Sequence, residues 1–240
     1  MRKNMTQEMA DQIGCEYEII PPMDEASQVL KVYEEAKEDG KQKGYVPILV
    51  VPDQELLNRM KEAEEPEYYL KEYKKHDGKE ILNGYLAEIK AYLEKQGEPW
   101  EEVVSDVERG EGMNEFIGFM PDDWDSTLEV ILAKIPTEHP WEVFAWVPMG
   151  GWNECPPTEY IMAVMKYWVE TYGLEPVVIA QDMIEGRVPQ RPETAQEAVA
   201  IGEEQYAFCP DIVEQCCGDA TIGQLADTLM KSDVWFFWWD

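Results

Sequence analysis

Cations are scarce in this chain. Its 240 residues hold 20 Lys and Arg against 50 Asp and Glu, a formal net charge of -30 at neutral pH. Such a field repels phosphate backbones and anionic bilayers, so nucleic-acid binding is not expected without a metal bridge. It draws in a basic protein partner instead and speeds the encounter. Simple solubility in a crowded cytoplasm is the plainer reading of the same charge. Histidine is nearly missing: only His76 and His139 are present, which leaves few bases for a nucleophile. No stretch approaches the roughly 18 apolar residues of a membrane span. Residues 1–8 carry positive charge with no apolar run behind it, unlike a secretion signal. The five cysteines (Cys15, Cys155, Cys209, Cys216 and Cys217) form an odd set without a repeating framework. They read as reduced thiols, so a cytoplasmic location is expected.

What is present argues for a packed globule. Apolar residues make up 45% of the chain and tryptophan occurs nine times, too much for a disordered segment. The length suits one large domain or two small ones. Residues 1–110 hold 15 basic and 26 acidic side chains, and residues 111–240 hold 5 and 24. The second half therefore has few cations to pair its carboxylates, and is the expected face for a cationic ligand, a metal ion or a basic protein.

The first half reads as largely helical with one strand. Asp24 is placed to cap a helix carrying Val29, Leu30, Tyr33 and Ala36, ending near Gly40. The run from Val46 to Val51 reads as a buried strand, and Asp53 caps the next helix. Leu82, Tyr85, Leu86, Ile89 and Leu93 mark an amphipathic helix stopped at Gly97, and Pro99 opens another. Residues 109–126 break the pattern with Gly110, Gly112, Gly118 and Pro121, giving a boundary near 110 or a long loop within one domain.

In the second half, residues 128–135 and 142–147 read as two strands of a hairpin. A helix with Ile161, Val164, Met165 and Trp168 follows, then a strand at 176–180, so 142–180 forms a strand–helix–strand unit. Thr194 and Thr221 each head a capping pattern. The closing run from Val234 to Trp239 lacks alternation and reads as a core strand covered on both faces. A weak internal echo links the helix–glycine–strand at Pro47 with that at Pro176. The fold class expected is α/β or α+β, a mixed sheet flanked by helices.

Several motifs occur together in the second half: Ile135-Pro136-Thr137, Pro140-Trp141, the run from Trp146 to Pro156, Tyr206-Ala207-Phe208-Cys209-Pro210-Asp211, Leu225-Ala226-Asp227-Thr228-Leu229 and the aromatic terminus. Over about residues 128–240 this set resembles a bacterial family known as domain of unknown function 4253. The resemblance brings no activity, cofactor or catalytic residue to carry over.

Candidate chemistry centres on loop 150–157, where an apolar run meets Gly150-Gly151, Trp152, Asn153, Glu154 and Cys155 before Pro156-Pro157. In strand–loop–helix units, ligands sit where the loop leaves the strand. Cys155 ahead of a helix is either an activated thiol or a packing residue; the adjacent Glu154 and the global charge oppose a thiolate. Asn153 binds a ligand or caps the helix entry. Glu154 with Asp182 or Glu185 makes a carboxylate cluster for acid–base or metal chemistry, or all three are solvated strand ends. Cys155, Cys209, Cys216 and Cys217 lack zinc spacing, and Asp122, Asp123 and Asp125 lack a calcium loop, so no metal or cofactor is expected. Trp152 reads as a partly exposed recognition residue or a packed lid. Two functions follow from these residues. One is a non-catalytic protein that masks a basic partner through loop 150–157, as immunity proteins do. The other is a small-molecule or metal-dependent hydrolase on Glu154, Asp182 and Glu185.

Overall fold

The computed structural model describes residues 4–121, 123–215 and 220–240. The chain opens with α1 (Met5–Ile13), β1 (Glu16–Ile20), α2 (Ala26–Lys43), β2 (Val46–Val50), α3 (Gln54–Glu62) and α4 (Pro66–Glu72). Next come α5 (Gly78–Gln96), α6 (Trp100–Val104) and β3 (Val130–Ile135). The second half adds α7 (Thr158–Tyr172), β4 (Glu175–Ile179), β5 (Met183–Arg187) and α8 (Ala195–Phe208). It ends with α9 (Asp211–Glu214), α10 (Ile222–Leu229) and β6 (Val234–Trp238).

One six-stranded mixed sheet, ordered β1-β3-β2-β4-β5-β6, organises all of this. Only β2 and β4 run parallel; every other neighbour is antiparallel. Because β2 lies between β3 and β4, the sheet crosses the boundary read near residue 110. The expected mixed sheet flanked by helices is therefore what forms. The internal echo also has a structural counterpart. Gly44 and Gly173 end their helices at φ 76° and 71°, and Leu49 pairs with Val178, each two residues beyond its proline.

Helix ends follow local chemistry. Asp53 accepts the N–H groups of Glu55 and Leu56, and Thr194 with Glu197 forms a reciprocal capping box. The cap of α2 is Glu25, boxed with Gln28, not Asp24, and that helix continues through Gly40 to Lys43.

Three expectations need correction. Residues 142–147 are not a strand: a 3-10 helix spans Pro140–Ala145, so neither the hairpin nor the 142–180 unit exists. The physical reason is visible at Glu142, which turns inward to accept Tyr73 Oη (2.8 Å) and Thr137 Oγ1 (2.5 Å). A continuous apolar run cannot by itself separate a buried strand from a buried helix. Second, the described residues of the N-terminal half hold two strands, because Glu16–Ile20 pairs along β3 as an edge. Third, β5 follows β4 through a tight hairpin, where the sequence pattern predicts no strand.

The sheet separates two cores. On one face Trp168, Trp235, Phe237 and Trp239 pack with residues of α1, α3, α7, α8 and α10. On the other, Val29 and Tyr33 of α2 join Phe116 and Phe119, which lie between α6 and β3. The coverage of β6 is unequal, since Trp235 and Phe237 are buried while Phe236 and Trp238 are half-buried. No helix among the described residues is long and apolar enough to cross a membrane.

Candidate functional site

Loop 150–157 is wound tightly by its own backbone. Gly150, Gly151 and Asn153 all take positive φ (86°, 74° and 43°). The Cys155 N–H donates to Trp152 O (2.9 Å), closing a four-residue turn, while Gly151 N–H reaches the carbonyls of Cys155 and Pro156 (3.0 and 3.1 Å). Thr158 Oγ1 donates to Met149 O (2.7 Å) and ties the entry to the first turn of α7. The two glycines differ in what surrounds them. A Cβ on Gly150 would lie 2.1 Å from Pro156 O, whereas one on Gly151 would meet nothing within 4 Å. We therefore expect Gly150→Ala to lose about 2 kcal/mol from clash plus left-handed strain, and Gly151→Ala about 1 kcal/mol from strain alone. Urea unfolding of the two variants side by side checks the order.

The residues expected here part company. Trp152 is half-buried with the Arg59 guanidinium 5.0 Å from its ring centre. Asn153 does not cap α7; its Nδ2 donates to the Asp240 backbone carbonyl (2.6 Å), and the cap position is Pro157. Glu154 is exposed. Cys155 is 3% exposed, and burial pushes its thiol up despite the opposing influence of Arg59. Among the described residues, His76 stands edge-on to Tyr160 and His139 stacks on Trp141, and no hydrogen bond joins either to Cys155. A protonated thiol without a base is a poor nucleophile.

Asp182 closes the hairpin before β5 and accepts Trp238 Nε1 (3.1 Å); burial raises its carboxyl. Glu185 lies mid-strand in β5, not at a strand end. Side chains alternate across a sheet, so Glu185 faces opposite to Ile184 and enters the α2-side core. There it is 0% exposed and accepts N–H groups from Ile117 (2.8 Å) and Gly118 (3.0 Å), and desolvation raises its carboxyl to about 7. The structure thus keeps Glu154 and Glu185 apart, one on a surface loop and one beneath residues 117–118. Cys209 donates its thiol to Trp238 O (2.9 Å), while Cys216, Cys217 and Asp122 lie outside the described residues. Among the described residues no three His, Cys, Asp or Glu side chains are grouped to hold a metal.

A feature missed from the sequence is a groove between α5 and the loop. Tyr85, Glu88 and Ile89 of α5 face Asn153, Glu154 and Pro156 across a depression of about 290 Å³. A second depression of about 330 Å³ adjoins it, sharing Tyr85 and Glu88 and reaching Tyr160, Glu80 and Asp77. Asp77, Glu80, Glu88 and Glu154 are exposed along the rim, with Lys75 the cation lining it. The apolar stripe of α5 forms the amphipathic helix expected, with Tyr85 and Ile89 only half-buried. That stripe width was the available signal.

Fold and groove together define an acidic mixed-sheet α+β protein with an aromatic-floored surface cleft. Residues 131–240 match the model of the family described as domain of unknown function (DUF4253), the family its C-terminal motifs resemble. No curated protein and no solved structure matches the chain. The matched span omits β1 and β2, although β2 sits inside the sheet between two of its strands.

Proposed function

We propose that this chain is a non-catalytic cytoplasmic binding protein that masks a basic protein partner. Its docking face is the groove between α5 and loop 150–157. The observation that carries the reading is the rim: four exposed carboxylates above a floor of Tyr85, Tyr160 and Ile89. Lys or Arg side chains fit such a cleft, laying their stems on the rings and their charges against the rim. Among the described residues no Lys or Arg engages Glu80, Glu88 or Glu154, so these charges are free for a partner. The net charge of -30 adds long-range steering. The hydrolase alternative loses Glu185, which lies in the opposite core from the loop, and keeps Glu154 and Asp182, the latter near enough to act on the Cys155 thiol.

The test uses a labelled Arg/Gly peptide at low salt and two double reversals of equal net charge. Glu88→Lys with Glu154→Lys alters the groove; Glu101→Lys with Glu102→Lys alters an exposed stretch of α6. Two lost charge contacts of about 1 kcal/mol each predict at least a tenfold weakening for the groove pair. The control pair should change binding less than about threefold by screening. Equal losses would show that only bulk charge matters and would remove the groove from the proposal.

A further inference from the structure

The strongest unassigned feature is a half-open pocket of about 470 Å³ lined by α8, α9, α10, β6 and the strap at residues 109–113. We infer that it binds a small amphipathic molecule, an apolar body bearing a carboxylate or carbonyl acceptor. Its size falls within the range of small-molecule sites. Three observations set the ligand class.

First, the walls are mostly apolar, with Ile212, Leu225, Leu229 and Phe236 among them. Second, the polarity is unlike that of the protein at large. In a chain carrying -30, the described residues of this lining hold a single acid, Glu111, against a single base, Arg109. Third, two lining side chains have buried donors with no partner among the described residues, Gln205 Nε2 and Trp235 Nε1. Both residues are at least nine-tenths buried, Gln205 at 1% and Trp235 at 2% exposure. Buried donors are normally paired, so two orphans beside one cavity point to an acceptor that is supplied from outside.

The mouth is built, not incidental. Gly110 N–H donates to Asp227 Oδ2 (2.8 Å), Lys231 Nζ donates to Gly110 O (2.8 Å), and Met113 N–H donates to Ser232 Oγ (2.8 Å). A Cβ on Gly110 would lie 2.2 Å from Thr228 N, so the strap backbone rests directly on α10. Arg109 beside it is held at φ 66°, a left-handed conformation rarely taken by such a residue. Its guanidinium, exposed and paired with Glu108 (2.9 Å), is the cation that a ligand carboxylate would have to share at the opening.

The test uses two probes of one shape, 1-anilinonaphthalene-8-sulfonate and its uncharged parent, N-phenyl-1-naphthylamine. The intact protein should bind one equivalent of each saturably. In ¹⁵N spectra the Trp235 indole N–H signal, assigned by its loss in Trp235→Phe, should move on adding the sulfonate. Leu225→Trp fills the cavity and should weaken both probes more than tenfold; Thr228→Met serves the same purpose if that variant does not fold. Gln205→Leu should weaken the sulfonate about tenfold and the neutral probe less than twofold. Absence of saturable binding, or filled variants that bind as the parent does, would overturn the site. Equal effects of Gln205→Leu on both probes would overturn the acceptor-bearing class.

Discussion

Trp168→Ala should cost about 5 kcal/mol, enough to unfold a domain of ordinary stability. Trp168 is 0% exposed and stacks on Phe237 with centroids 5.1 Å apart, while Phe208 and Trp235 meet it edge-on. Truncation of a buried tryptophan opens a cavity worth about 3–5 kcal/mol. The ring also donates Nε1–H to Glu204 Oε2 (2.9 Å). Glu204 is buried in α8 and gathers Tyr167 and Lys79 at the same carboxylate. Removing one donor from a buried carboxylate adds about 1–2 kcal/mol. Trp168→Phe keeps the stack, loses the donor and should cost about 2 kcal/mol. Urea unfolding followed by far-ultraviolet circular dichroism separates the two, because eight other tryptophans obscure fluorescence. A loss below 2 kcal/mol for Trp168→Ala would show that the aromatic cluster is not the keystone of this core.

That cluster is legible in the sequence. The helical spacing of Ile161, Val164, Met165 and Trp168 and the apolar run at β6 mark α7 and the terminal strand. The first is a period that burial of one helix face imposes, and the second is an unbroken apolar run too short for an average helix. Elements whose burial is partial left weaker traces. β1 alternates Glu16, Tyr17 and Glu18 at the sheet edge, with only Ile20 fully covered. β5 is five residues long and contains Glu185, Gly186 and Arg187, a composition typical of loops. The 3-10 helix at Pro140–Ala145 reads as a strand because its apolar run is continuous, and what curls it is the distant Tyr73 hydroxyl on Glu142. Sequence spacing carries no record of a partner 69 residues away.

The same limit governs the candidate site. Loop 150–157 announces itself through its glycines, whose positive φ values are a local requirement. Whether Glu154 meets Glu185 depends instead on the parity of β5, since a one-residue shift sends a side chain to the other face. Without β5 in the reading, that parity could not be assigned. The acidic groove was equally hidden, because it exists only where α5 lies beside the loop. The charge that makes it useful was plain from composition alone.

Glu185 itself yields the second large effect, a pH dependence of stability. Its carboxyl is raised to about 7 in the fold, chiefly by desolvation, against an ordinary value of 4.5. Below 4.5 both folded and unfolded chains hold the proton, and the stability associated with the neutral carboxyl is fully present. Between 4.5 and about 7 the unfolded chain releases the proton and the folded chain retains it, so stability falls as pH rises. Above about 7 both are ionised and the loss is complete, on the order of 3 kcal/mol. The general repulsion of 50 carboxylates trends the same way, so the contribution must be read as a difference. Glu185→Gln provides it, because an amide does not titrate. Its nitrogen would face the N–H of Ile117 or Gly118, which lowers stability most at acid pH, where the parent is strongest. The gap between parent and variant in urea unfolding should therefore narrow by about 3 kcal/mol from pH 4.5 to 7.5. A gap independent of pH would mean that Glu185 is ionised in the fold across this range, held by its two backbone donors against the pull of desolvation.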